Sequence, residues 1–242
     1  MVDPAPLEPF PEDWERGLAV VAHPDDLEYG AASAIARWTG QGKHVSYVMV
    51  TDGEAGIDTM PPAEVGPLRR EEEERSAEVV GVDSVEFLGF ADGLIEADQE
   101  LRRALATTIR RHRPEVIISI NFRESWGPGS WNHVDHRNVG IALLDGARDA
   151  GNRWLFTEDG LDPWPGVRLV AFGGSPQASH WVDVTDTMEL GVRSLEQHAV
   201  YLSVLSDGTP GSEPGSFLRN FAAQAGERVG VDYAATFEVI SV

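Results

Sequence analysis

The sequence predicts an α/β protein built on a mainly parallel sheet. Three observations carry this. Short apolar runs alternate with longer amphipathic stretches along most of the chain, the pattern of βαβ units. The first runs end abruptly at turn-forming residues, at Pro24 and again at Thr51-Asp52-Gly53. The 242 residues, 42% hydrophobic and 24% charged, suffice for one large core, and no shift in composition divides them. One domain over residues 1–242 is therefore expected.

The elements follow in order. Residues 18–21 read as a first strand, and 31–38 as a small-residue helix ending at Gly40 and Gly42. Residues 45–50 form the second strand, and a Gly/Pro-containing loop spans 54–66. A charged helix covers 68–80. Its run Glu71 to Glu74 reads as a solvated face. Residues 85–90 give a third strand. Residues 99–111 give a helix with Leu101, Leu105 and Ile109 at four-residue spacing. Residues 116–120 give a fourth strand. A Gly/Pro/Trp loop over 121–132 precedes a helix from Arg137 to about residue 150. Further on, 167–172 and 181–184 read as strands and 187–205 as one helix. Residues 206–216 read as a surface loop; a short helix and a strand over 237–240 end the chain.

Composition narrows the function classes. With 40 acidic against 19 basic residues, the net charge of -21 repels nucleic acid and anionic lipid. No apolar stretch approaches the roughly 20 residues that span a bilayer. Residues 1–14 are rich in Pro and acid, unlike a signal peptide. The expectation is a cytoplasmic protein with a small-molecule partner, no nucleic acid and no membrane insertion; a homo-oligomer is compatible with the sequence. There is no cysteine, so any metal must be held by His, Asp or Glu.

Two clusters carry chemistry. Ala22-His23-Pro24-Asp25-Asp26-Leu27-Glu28 directly follows the first strand, and ligands of open α/β sheets bind at the carboxyl ends of strands. His133-Val134-Asp135-His136 follows the fourth strand and its loop. In a parallel sheet both lie on one edge. A catalytic metal site takes three protein ligands and an open position. His23, Asp26 and one of His133 or His136 meet that count. Asp25 is then free to accept a proton, and the remaining His can stabilise or protonate the departing group. Against this, an Asp after a strand is often an N-cap and a lone His often a core residue; two such clusters on one edge favour the metal. Trp126 and Trp131 read equally well as a sugar-binding wall or as anchors of their loop. The first strand is not followed by Gly-x-Gly-x-x-Gly, and Gly-x-Ser-x-Gly does not occur, which disfavours nicotinamide binding and serine hydrolysis.

These residues resemble the PIG-L/LmbE family of zinc-dependent de-N-acetylases. The resemblance rests on Ala22-His23-Pro24-Asp25-Asp26 with Gly30, and on His133 to His136 downstream. Val50 to Gly56, Arg69 with Glu72, and Gly230 to Phe237 are also similar. It implies a Rossmann-like three-layer fold, LmbE-like, and hydrolysis of an N-acetyl or other N-acyl group from an amino-sugar conjugate of the N-acetylglucosamine type. The resemblance makes His23, Asp26 and His136 ligands of zinc, with Fe2+ or another divalent metal as alternatives. It makes Asp25 the general base, His133 the oxyanion stabiliser or proton donor, and Asp135 the group that orients His133. Arg69 falls where relatives contact substrate with an arginine, Arg70 being the adjacent alternative. Trp131 stands where some relatives have a Tyr near the reacting carbonyl, and His198 matches a histidine near the pocket. Two other functions stay open: an amidase of the same family acting on a thiol-sugar conjugate or antibiotic precursor, and a non-catalytic metal- or sugar-binding protein.

Overall fold

The computed structural model describes residues 6–205 and 213–242; residues 206–212 of the expected surface loop lie outside the described residues. The strands are β1 (Glu8–Pro9), β2 (Arg16–Val21), β3 (His44–Thr51), β4 (Val85–Phe90), β5 (Val116–Ile120), β6 (Ser125–Gly127), β7 (Ser130–Trp131), β8 (Leu169–Gly173), β9 (His180–Asp183) and β10 (Ala234–Ser241). The helices are α1 (Ala32–Gly40), α2 (Pro62–Val79), α3 (Gln99–His112), α4 (Val134–Gly151), α5 (Met188–Leu195), α6 (Ala199–Val204) and α7 (Pro214–Val229).

Eight strands form one sheet in the order β1-β9-β10-β8-β5-β2-β3-β4. Neighbours are parallel except where β10 pairs with β8 and β9. The central strands are buried on both faces, which is why they read as unbroken apolar runs. On β2, Ala19 and Val21 pack toward α1, α2, α5 and α7, whereas Leu18 and Val20 pack toward α3 and α4. Three layers result. The chain steps outward from β2 to β3 and β4, then returns to lay β5 on the other side of β2. The loops after β2 and β5 thus flank the crevice where strand order reverses, the usual ligand position in such sheets.

Several expectations shift. α2 begins at Pro62, inside the expected loop, because Pro at the first helical position is pre-organised for a helix; Pro67 is carried within it. The helix expected over 187–205 is two helices, broken at Glu196–His198. The break buries the His198 ring, and the Val200 N–H at the start of α6 donates to the buried Glu72 carboxylate at 2.6 Å. α4 starts at Val134, three residues early, with the His133 side chain as its cap. α7 starts at Pro214, within the expected loop. The run Glu71 to Glu74 is only half a solvated face: Glu71 and Glu74 are exposed, but Glu72 and Glu73 are fully buried. No helix among the described residues is long and apolar enough to cross a membrane.

Candidate metal centre

The loops after β2, β4 and β5 converge. His23 Nδ1 lies 3.2 Å from His136 Nε2 and 3.5 Å from Asp26 Oδ2, and His136 Nε2 lies 3.1 Å from Asp26 Oδ1. Zinc held tetrahedrally by bonds of about 2.0–2.1 Å sets its ligand atoms about 3.3 Å apart. The two imidazole nitrogens stand at that spacing and Asp26 meets each through a different carboxylate oxygen, while His23, His133 and His136 form a group of three nitrogens within 4.8 Å of one another. His133 is near, its ring centroid 5.3 Å from that of His23 and 5.5 Å from that of His136.

Both ring orientations are fixed from behind. His23 Nε2 meets Asp92 Oδ1 at 3.1 Å and Asp135 Oδ2 at 3.3 Å. His136 Nδ1 pairs with Asn132 Oδ1 at 2.9 Å. Such partners leave the opposite nitrogen's lone pair for a cation. Asp135 was expected to orient His133. Its carboxylate instead contacts His23 and accepts the N–H groups of Gly93 (2.7 Å) and Ile95 (3.3 Å). His133 is held by the backbone: as the cap of α4, its Nδ1 accepts the Asp135 N–H at 3.3 Å. Helix capping thus decides which nitrogen of His133 is free.

Burial opposes a charged His23 ring, but Asp26, Asp135 and Asp92 outweigh it, and its pKa lies well above the ordinary value. For Asp26, burial acts against the carboxylate, yet His136 and His23 hold its pKa far below the ordinary range. Asp25 differs. Burial raises its pKa and Arg69 only partly offsets this, leaving it at about 6. That is a useful value for a general base near neutral pH. Asp25 also has φ of 91°, a left-handed conformation that costs a non-glycine residue about 1–3 kcal/mol. For His133, burial and the neighbouring His23 push the pKa down, favouring a neutral ring.

Arg69 is buried on α2. It pairs with Asp25 Oδ1 at 3.1 Å, donates to the Pro24 carbonyl and lies 4.0 Å from the centre of the Tyr201 ring. The turn after β3 makes room for it: a Cβ on Gly56 would sit 2.6 Å from Arg69 Nη1. Arg70 points elsewhere, to Asp52 at 2.8 Å.

A cavity of about 870 Å³ opens over the centre, with Arg69, Trp126, His133 and Tyr201 in its walls. A separate hollow of about 570 Å³ near Trp154 and Pro165 has no His, Asp or Glu among its described lining residues. Trp126 lines the cavity and Trp131 does not. Trp131 is 70% exposed, with the Arg137 guanidinium 5.0 Å from its ring, because the β6–β7 hairpin turns it outward. His198 does not reach the cavity lining either; it is buried behind Asp25, with Nε2 3.6 Å from Glu73 and 3.9 Å from Glu28.

Sequence reasoning missed Asp92, Asn132 and Glu73. Asp92 follows a strand just as Asp25 does, so the strand-end rule could have found it. Asn132 gave a weaker signal, its place beside His133. Glu73 gave none within a run of four glutamates.

The family described as PIG-L, GlcNAc-PI de-N-acetylase, matches residues 18–146, the span that holds every residue of the centre. Diacetylchitobiose deacetylase from Thermococcus kodakarensis is 32% identical over 196 residues, covering 79% of this chain and 71% of that protein. A 4-oxalmesaconate hydratase from Pseudomonas putida is 33% identical over 126 residues, 49% of this chain and 47% of that one. The solved structure of N,N'-diacetylchitobiose deacetylase from Pyrococcus horikoshii is similar with a TM-score of 0.84 at 28% identity, covering 95% of this chain and 85% of that one. The three-layer fold, the two His/Asp clusters on one sheet edge and these likenesses lead to one conclusion: this chain belongs to the PIG-L family of GlcNAc-PI de-N-acetylases.

Proposed function

We propose that this protein is a metal-dependent hydrolase that removes the N-acetyl group from an N-acetylglucosamine-type amino-sugar conjugate, with zinc as its metal. The observation that carries the reading is the pairing of a three-donor cluster, His23, Asp26 and His136, with a buried Asp25 that holds a different proton affinity from its neighbour. The sugar class is supported by the deacetylases among the relatives and by the Trp126 ring in the cavity wall, where an aromatic face suits a sugar ring.

A metal held by the three donors would supply Lewis acidity, polarising the amide carbonyl and acidifying water. The chain's own groups do the rest. Asp25 accepts a proton from water as its oxygen attacks the carbonyl carbon. His133, with Nδ1 occupied by the Asp135 N–H, offers its Nε2 proton to the carbonyl oxygen as negative charge builds there. Asp25 then returns its proton to the amide nitrogen, the C–N bond breaks, and acetate and a free amine result.

The test is release of amine and acetate from N-acetylglucosamine derivatives: the free sugar, an inositol-linked sugar and a thiol-conjugated sugar. We expect equimolar products, abolished by a chelator and restored by zinc. Because a hydratase is among the relatives, the decisive failure is metal-loaded protein that releases neither product from any of these conjugates.

A further inference from the structure

We propose that Glu73 is a positioning residue for Asp25: its carboxyl oxygen holds the Asp25 amide so that the backbone keeps the left-handed conformation that aims the base into the cavity. The inference rests on the reading of Asp25 as the base. The Asp25 N–H donates to Glu73 Oε2 at 3.1 Å. The carbonyl of the same peptide unit, that of Pro24, accepts from Arg69. Arg69 and Glu73 are four residues apart on α2, so a single helix face grips both polar ends of one peptide bond. That peptide leads directly into the φ of 91° at Asp25. Rotation about the Asp25 N–Cα bond swings Cβ and the carboxylate relative to the upstream chain. Without the anchor, the left-handed geometry lacks a hydrogen bond that favours it.

Among the described residues, the Asp25 N–H gives the one hydrogen bond that the Glu73 carboxyl accepts. Glu73 is fully buried and its Oε1 has no hydrogen-bond partner. Behind it stands His198, whose two ring nitrogens are also unpartnered. Buried polar atoms left in this state weaken a core, and an apolar residue of similar size would fill the space without that penalty. Burial and the nearby Glu28 push the Glu73 pKa well above the ordinary range. An acceptor oxygen, rather than a charge, is therefore what the site retains.

The test uses the full chain, loaded with zinc, with Glu73→Gln, Glu73→Asp and Glu73→Leu compared by crystallography, metal content and steady-state kinetics on an N-acetylglucosamine conjugate. Glu73→Gln keeps the acceptor and is expected to keep Asp25 left-handed, with kcat within about threefold of wild type. Glu73→Leu removes the acceptor, and Glu73→Asp withdraws it by one methylene should the Leu variant fail to fold. In these we expect Asp25 to leave the left-handed region and kcat to fall up to about 100-fold, with KM and metal content unchanged. In an Asp25→Asn background, Glu73→Leu should change kcat no further, whereas a merely structural role would multiply the two losses. Asp25 keeping its left-handed geometry in Glu73→Leu, or in Glu73→Asp if the Leu variant does not fold, overturns the proposal, whether or not the wild type turns over this substrate. An inactive wild type would instead count against the proposed reaction.

Discussion

Asp25 stands between two clusters, each built of carboxylates and imidazoles. On its cavity side, His23 and His136 interleave with Asp26, Asp92 and Asp135 at 3.1–3.5 Å. Behind it, His198 Nε2 lies 3.6 Å from Glu73 and 3.9 Å from Glu28, with several oxygens and nitrogens of the three unpartnered. Charge settles in opposite ways. In front, paired acids and imidazoles drive one another toward ionisation, so His23 titrates high and Asp26 low. Behind, burial raises Glu28 to about 7, and burial together with the Arg69 and Arg75 guanidinium groups lowers His198 to about 3. Carboxylates and imidazoles ionise one another where the signs alternate, and burial favours their neutral forms where they do not.

The hardest test of that contrast is metal content. Asp26→Ala is expected to lose stoichiometric metal and all turnover, measured by elemental analysis after dialysis. Asp25→Asn is expected to keep the metal and lose roughly 10²–10⁴-fold in kcat. Full metal occupancy in Asp26→Ala would dissolve the distinction between ligand and base.

A smaller effect separates the group behind a proposed ligand from the group behind the proposed base. Asp135→Asn weakens the carboxylate behind His23, and metal affinity should fall about 10–100-fold in a chelator competition. A loss of the same size in Glu28→Gln would mean that the rear cluster also governs the metal.

Proton affinity sharpens the contrast further. As the proposed base, Asp25 must act deprotonated, so kcat should rise with pH and level off above about 6. A flat profile from pH 5 to 8 would remove Asp25 from that role.

The smallest effect is on stability. The folded-state pKa of Glu28 is raised from the ordinary 4.5 to about 7, so the folded chain holds this proton more tightly than the unfolded chain. Its contribution is therefore full below pH 4.5 and is lost as pH rises through 7. Glu28→Gln should remove that slope, seen as a smaller difference in Tm between pH 5 and pH 8 than in wild type.

Much of this was legible in one dimension. Strand burial on both faces writes an apolar run, and parallel strands place their carboxyl ends together, so the sequence alone assigns His23, Asp25, Asp26 and the His133 to His136 cluster to one edge. Local signals were weaker where tertiary partners chose the outcome. The helix over 187–205 breaks because a carboxylate from α2 accepts the Val200 N–H. Trp126 and Trp131 are alike in sequence, and only the hairpin register turns one inward.

The sequence by itself determined the fold class, the edge that holds the chemistry and the residue types available there, because periodicity and turn residues act over a few positions. Only the tertiary structure decided which carboxylate faces which imidazole. Asp135 serves His23 rather than His133, Asp92 joins from a third strand, and Glu73 is drawn from a charged run into the interior. Those assignments depend on distances between residues about 50 to 110 positions apart, set by how helices and strands pack, and on burial, which sets the charge each group carries.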